Sequence, residues 1–110
     1  MSLNLDSYEE ANKLIIKIEG YLDMGSFRDF EVYIQEHILK TVTAVGINFS
    51  KCKAIDSSGM GSIIRLINDL KKRNIELVIL DVPSNVKSIF KISQIDKYIN
   101  FKSQVEFLSD

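Results

Sequence analysis

The sequence predicts an α/β sandwich, a mixed β-sheet of four to five strands with helices packed on it in the order ββαβαβαβ(α). Three observations carry that prediction. Two alternating segments flank a polar turn near the N-terminus, and segments of helical and of strand period then take turns along the chain. Finally, Leu77-Val78-Ile79-Leu80 is apolar without alternation, which suits a strand buried on both faces of a sheet. With 110 residues, 45% of them hydrophobic and 26% charged, the chain reads as one domain spanning 1–110.

Each element follows from its local pattern. Leu3, Leu5 and Ser7 alternate with polar neighbours, and Leu14, Ile16 and Ile18 alternate against Lys17 and Glu19 beyond a polar turn around Glu9 to Lys13. Period two on both sides of a short turn predicts an antiparallel hairpin. A first helix begins near Ser26, with Asp29 three residues later as a weak variant of the capping box, and runs to about Lys40. Phe27, Phe30, Ile34 and Ile38 recur at helical spacing and lay one stripe on a core. Val45, Ile47 and Phe49 mark the third strand, followed by a loop from Ser50 to Ser58. The second helix, from about Ser58 to Arg73, buries Met60, Ile63, Ile64, Ile67 and Leu70 and turns Arg65, Asn68, Asp69 and Lys72 outward. Asp69 stands four residues before Arg73, the spacing of a helical ion pair. Pro83-Ser84 opens a short helix with Val86, Ile89 and Phe90 inward, Tyr98 to Phe101 is a weaker strand, and Val105 to Leu108 starts a terminal helix.

Composition narrows the functional classes. Fourteen basic against fifteen acidic side chains, a net charge of −1, removes the electrostatic footprint of a general nucleic-acid binder. No apolar run is long enough to span a bilayer, and no charged segment leads into an apolar one at the N-terminus. The single Cys makes no intramolecular disulfide, so a reduced, cytoplasmic setting without membrane is expected. One His and one Cys are also too few ligands for most protein zinc sites; neither a metal nor a cofactor is expected.

The most informative stretch is Asp56-Ser57-Ser58-Gly59-Met60-Gly61, between the third strand and the second helix. Physically it is a helix start, where Ser or Asp oxygens accept orphan N–H groups and the helix dipole is slightly positive. The bland reading is an N-cap in a glycine-bearing loop. The sharper one is that one serine caps while the other is free to take a phosphate. Gly59-x-Gly61 with Asp81 after the next strand hints at a dinucleotide fingerprint, but the third glycine position is Ile64 and the Ser50–Ser58 loop separates strand from glycines. No G-K-[ST] occurs, which excludes a P-loop, and no G-x-S-x-G occurs to make a hydrolase elbow. His37, the only imidazole, flanks the apolar stripe near the end of the first helix and reads as an edge residue facing the helix C-terminus. Cys52 sits between Lys51 and Lys53, which would lower its pKa if exposed; the spacing Phe49, Cys52, Ile55 suggests instead a small buried thiol. Asp23, in Gly20-Tyr21-Leu22-Asp23 after the second strand, is either a turn acid or part of a polar surface near the serine loop.

The order of elements, Gly20-x-Leu22-Asp23, and Asp56-Ser57-Ser58-Gly59-x-Gly61 together resemble a STAS domain, and within that family the stand-alone bacterial anti-sigma factor antagonists. The likeness extends through Val82-Pro83 and Val86-x-x-Ile89-Phe90. It implies a non-enzymatic switch of transcription. The partner is an anti-sigma factor with GHKL-type serine kinase activity, which phosphorylates the serine after the motif acid, here Ser57. The unphosphorylated antagonist binds that partner and frees the sigma factor, phosphorylation abolishes binding, and a PP2C-type phosphatase resets it. The implied partner surface is Asp23, Asp56, Ser57, Ser58, Gly59, Met60 and Gly61, on a monomer or weak dimer. The alternative within the family is a scaffold or small-ligand-sensing subunit without a phosphorylation cycle. Three departures stand out: Tyr21 where a charged residue is frequent, Gln94 where many members have Gly, and a short last helix ending at Asp110. A non-Gly residue held in the left-handed region at 94 costs on the order of 1 kcal/mol.

Overall fold

Leu3–Glu10 (β1) and Lys13–Leu22 (β2) pair antiparallel across Ala11-Asn12 in the computed structural model, which describes residues 2–110. The turn is shorter than the polar stretch suggested. Both of its residues sit at positive φ, 52° and 66°, the hallmark of the tight turn whose twist matches a hairpin. Asn tolerates that region; Ala11 is held there by the ladder on either side. The chain continues through α1 (Phe27–His37), β3 (Ala44–Ile55), α2 (Ser57–Lys72), β4 (Glu76–Leu80) and α3 (Ser84–Ile92). A 3₁₀ turn at Ile95–Lys97, β5 (Asn100–Lys102) and α4 (Gln104–Ser109) complete it.

The five strands lie in the order β1-β2-β3-β4-β5, parallel from β2 onward. Because sheet order follows chain order without a reversal, right-handed crossovers carry α1, α2 and α3 over the same face. There Phe30 and Ile34 of α1, Ile63 and Leu70 of α2, and Val86 and Phe90 of α3 close over Ile16, Val45, Ile47, Phe49 and Ile79. The other face carries a second, smaller cluster of Ile15, Ala44, Val78 and Leu80 under Phe107 of α4. A Cβ at Gly46 would come within 2.8 Å of the Phe107 ring, so the missing side chain on β3 makes the socket that α4 fills. Ser103 and Glu106 cap α4 reciprocally, and the Ser103 N–H holds the Glu106 carboxyl below its ordinary pKa. No helix of the described residues is long and apolar enough to cross a membrane.

Several boundaries move from their expected places. α1 stops at His37, three residues before Lys40, where Ile38 turns extended and its N–H returns to the Ile34 carbonyl. The anticipated capping box is absent, because Ser26 makes no side-chain cap bond to α1. Ile64 is 43% exposed rather than buried, while Met60, Ile63, Leu66 and Leu70 form the inward stripe of α2. Asp69 and Arg73 pair at 3.2 Å as their spacing required. Tyr98 lies outside β5 and is exposed, whereas Gln94 sits at φ 61°, the left-handed conformation that its position demands.

Candidate functional site

β3 does not end near Phe49; it runs to Ile55, so the expected Ser50–Ser58 loop is strand for all but its end. Asp56 is the whole connection to α2, and Ser57 is already the first helical residue. The cap is therefore the acid, not a serine. Asp56 Oδ1 accepts from the Gly59 N–H at 2.9 Å, and the Asp56 carbonyl accepts from the Met60 N–H at 2.8 Å. Its other oxygen, Oδ2, accepts from the Met24 N–H at 3.0 Å, in the loop between β2 and α1. One carboxylate thus starts the second helix and ties it to the neighbouring loop.

That neighbouring loop is organised around Asp23 and Ser26. Asp23 Oδ1 accepts from the Gly25 N–H at 3.0 Å and from the Ser26 hydroxyl at 3.2 Å, while the Asp23 carbonyl accepts from the Ser26 and Phe27 N–H groups. The buried Ser26 hydroxyl also meets the Tyr21 carbonyl at 2.7 Å and the Asp23 N–H at 3.0 Å. It is turned back into the loop, which is why it leaves α1 uncapped. Both readings of Asp23 hold at once: it shapes a turn, and Asp56 joins that turn to the serine loop at one end of the sheet.

The remaining motif residues divide by depth. Ser57 is exposed and Ser58 and Gly61 are half-buried, whereas Gly59 and Met60 are buried. Met60 belongs to the core and offers no side chain to a partner. Gly59 is there for contact, since a Cβ would stand 2.2 Å from the Leu22 carbonyl oxygen at the end of β2. Its helix can then lie directly against the strand end. Neither Ser57 nor Ser58 has a hydrogen-bond partner for its hydroxyl among the described residues. The arrangement is an exposed alcohol in the first turn of a sixteen-residue helix, beside a carboxylate whose oxygens are both engaged.

His37 is at the far end of α1, its Nδ1 2.7 Å from the Tyr33 carbonyl oxygen and its ring stacked on Tyr33 at 3.9 Å. Cys52 is buried, and desolvation pushes its thiol above the ordinary value, so the flanking lysines do not make it a thiolate. The dinucleotide reading fails on two counts. Gly59 and Gly61 lie inside α2 instead of in a strand–helix turn, and the strand order has no switch point at which a crevice opens.

Residues 3–108 match the family model described as the STAS domain. The chain belongs to the STAS domain family. The curated anti-sigma-B factor antagonist of Staphylococcus aureus strain NCTC 8325 / PS 47 is 22% identical over 108 residues, which span 96% of this STAS domain and 100% of the relative. Among solved structures, an anti-sigma factor antagonist from Mycobacterium paratuberculosis superposes with a TM-score of 0.81 at 15% identity, covering 97% of this chain and 91% of the other. The Bacillus cell fate determinant SpoIIAA in its phosphorylated form gives 0.73 at 19% identity, with 98% and 97% covered. The anti-sigma factor antagonist SpoIIAA in its unphosphorylated form gives 0.67 at 17%, with 94% and 88% covered. These likenesses establish a shared fold. The role of Asp56 as cap had a sequence signal, since an acid three residues before Gly59 at a helix start caps as well as a serine does; its bond to Met24 had none.

Proposed function

We propose that this STAS domain is an anti-sigma factor antagonist switched by phosphorylation of Ser57. It binds an anti-sigma factor with GHKL-type serine kinase activity while unphosphorylated, releases it once phosphorylated, and is reset by a PP2C-type phosphatase. The observation that carries this is the Ser57 hydroxyl itself, exposed, without a hydrogen-bond partner among the described residues, and set in the first turn of α2. The relatives support the same reading: the anti-sigma-B factor antagonist of Staphylococcus aureus, and SpoIIAA, solved in both phosphorylated and unphosphorylated forms.

The chemistry asks little of this chain. The Ser57 oxygen attacks the γ-phosphorus of ATP, the bond to the ADP leaving group breaks, and a base on the kinase takes the hydroxyl proton. The substrate must present an alcohol that can leave its own fold's hydrogen bonds at no cost, and Ser57 does. Asp23, Asp56, Ser58 and Gly61 surround it on the partner-facing surface, while Gly59 and Met60 support that surface from beneath. Incubation with the cognate kinase and Mg·ATP should add one phosphate, mapped by peptide mass spectrometry to Ser57. Modification confined to Ser58, or persisting in Ser57→Ala, overturns the assignment.

A further inference from the structure

Ser57, Gly61 and Arg65 follow one another along α2 at four-residue steps, the spacing of neighbours on a helix surface. Helical side chains lean toward the N-terminus, which sends Arg65 back over Gly61 in the direction of Ser57. A Cβ on Gly61 would stand 3.5 Å from Arg65 Nη1 and 4.0 Å from Nη2, so the guanidinium lies where a longer side chain at 61 would be. Two contacts hold it there. Nε donates to Glu31 Oε1 of α1 at 2.6 Å, and Cζ stands 5.6 Å from the centre of the Phe27 ring. Neither Nη group has an acceptor among the described residues. An ion pair between α1 and α2 accounts for Nε on Glu31. It gives no use to a fork with both Nη groups free, one helical turn from an exposed alcohol.

We propose that Arg65 is the chain's own receptor for a phosphate on Ser57, its Nη groups donating to the phosphate oxygens while Nε stays on Glu31. The inference rests on the reading of Ser57 as the phosphorylated residue. Cβ positions one turn apart are about 5–6 Å from each other, and the Nη groups already overhang the middle one of the three. A phosphoserine is longer than the serine it replaces and spans what is left of that gap. The planar fork of an arginine matches a phosphate with two parallel bonds, which a lysine does not. Asp56 repels the phosphate from the other side, and its own oxygens are taken by the Met24 and Gly59 N–H groups. The phosphate therefore turns away from Asp56, along α2 toward Arg65. A cation at this place favours the doubly charged phosphate, so the phosphorylated form carries its full charge at neutral pH.

Phosphoserine placed at position 57 during translation yields the phosphorylated chain without a kinase, and phosphorus NMR then reads its second ionisation as pH is varied. In Arg65→Gln that pKa should rise by about 0.5 unit or more above its value in the otherwise wild-type phosphoprotein. Gly61→Leu keeps Arg65 but fills the space that its head group occupies, and should raise the pKa as well. Arg28 is the control cation: it too stands 5.6 Å from the Phe27 ring, yet makes no contact over Gly61. Arg28→Gln should move the pKa much less, since an exposed charge farther off is screened. Circular dichroism checks that each variant is folded. A pKa indifferent to both Arg65→Gln and Gly61→Leu overturns the proposal. An equal shift in Arg28→Gln also overturns it, because a diffuse basic surface would then replace a dedicated receptor. No kinase enters these measurements, so their failure leaves the Ser57 assignment standing, and a failure of kinase labelling at Ser57 leaves the Arg65 result readable.

Discussion

α1 and α2 start side by side, at the carboxyl ends of the adjacent parallel strands β2 and β3, yet they spend their polar side chains in opposite ways. At α1, Ser26 is buried and its hydroxyl is used three times, on the Tyr21 carbonyl, the Asp23 N–H and the Asp23 carboxylate. At α2, Asp56 does the capping and the bridging, and Ser57 behind it is left with an exposed hydroxyl. Two serines at equivalent topological places therefore differ in kind. Ser26 is structural because it is consumed. Ser57 is available because its acidic neighbour has already met the needs of the helix. The difference teaches that a hydroxyl is left free as much by what relieves its side chain of structural duty as by where it stands on the helix.

The comparison breaks first at Gly59. Gly59→Ala sets a Cβ 2.2 Å from the Leu22 carbonyl oxygen, a backbone atom that no side-chain rotation can clear. Forcing α2 off the strand end should cost about 3 kcal/mol or more in urea-monitored unfolding. A near-neutral Gly59→Ala would mean that the seam between the two starts is loose and that Asp56 has nothing rigid to bridge.

Asp56→Ala comes next. It removes the α2 cap, worth about 1 kcal/mol, and the bond to Met24 N–H, worth about 1 kcal/mol more. The total of about 2 kcal/mol should appear in equilibrium unfolding, with faster amide exchange at Met24 as well as Gly59. Exchange that rises at Gly59 alone would reduce Asp56 to an ordinary cap and separate the two loops.

Asp23→Ala should do less. Its side chain makes only two exposed or half-buried bonds, to Gly25 N–H and the Ser26 hydroxyl, while its main chain keeps the contacts that start α1. A loss of about 0.5 kcal/mol is expected, with partner binding falling disproportionately. A variant that melts far below wild type yet binds normally per folded molecule would make Asp23 a structural acid only.

Much of this was written in the sequence, and what was not has physical causes. Period two gave β1 and β2, helical spacing gave the stripes of α1 and α2, and the unbroken Leu77–Leu80 run gave β4. The second half of β3 hid because its alternation fails. β2 and β3 slip register at Lys17/Glu19 and at Gly20/Tyr21, and the buried residues beyond Phe49 then fall three apart, at Cys52 and Ile55. With that strand unseen, Asp56 read as one loop residue among several and a serine took the capping role. Gly46 hid for another reason. A glycine inside a strand signals close approach, but the approaching group, Phe107, lies sixty-one residues away in α4. Sequence periodicity reports on local faces; it is silent about which distant side chain fills a socket.

The smallest expected effect on stability is also the one that bears most on the proposed switch. Ser57→Asp places a negative charge at the first residue of α2, where the helix dipole favours it by about 0.3–1 kcal/mol. The adjacent Asp56 carboxylate opposes it by a similar amount at this exposed site, since both charges stay in water. The two offset, so the variant should unfold within about 0.5 kcal/mol of wild type, a few degrees at most for a domain of this size. Under the proposed switch, a partner surface shaped for a neutral hydroxyl changes the balance. The charge must give up its water without a compensating cation, at a cost of several kcal/mol. A loss of about 4 kcal/mol is a thousandfold in affinity, enough to empty the complex at cellular concentrations. Thermal melting and calorimetric titration of the same sample separate the two quantities. Unchanged melting with lost binding is the expected result. Wild-type affinity in both Ser57→Asp and the phosphorylated protein would remove the electrostatic switch, and a large drop in melting temperature would show that Ser57, like Ser26, is holding its own helix start together.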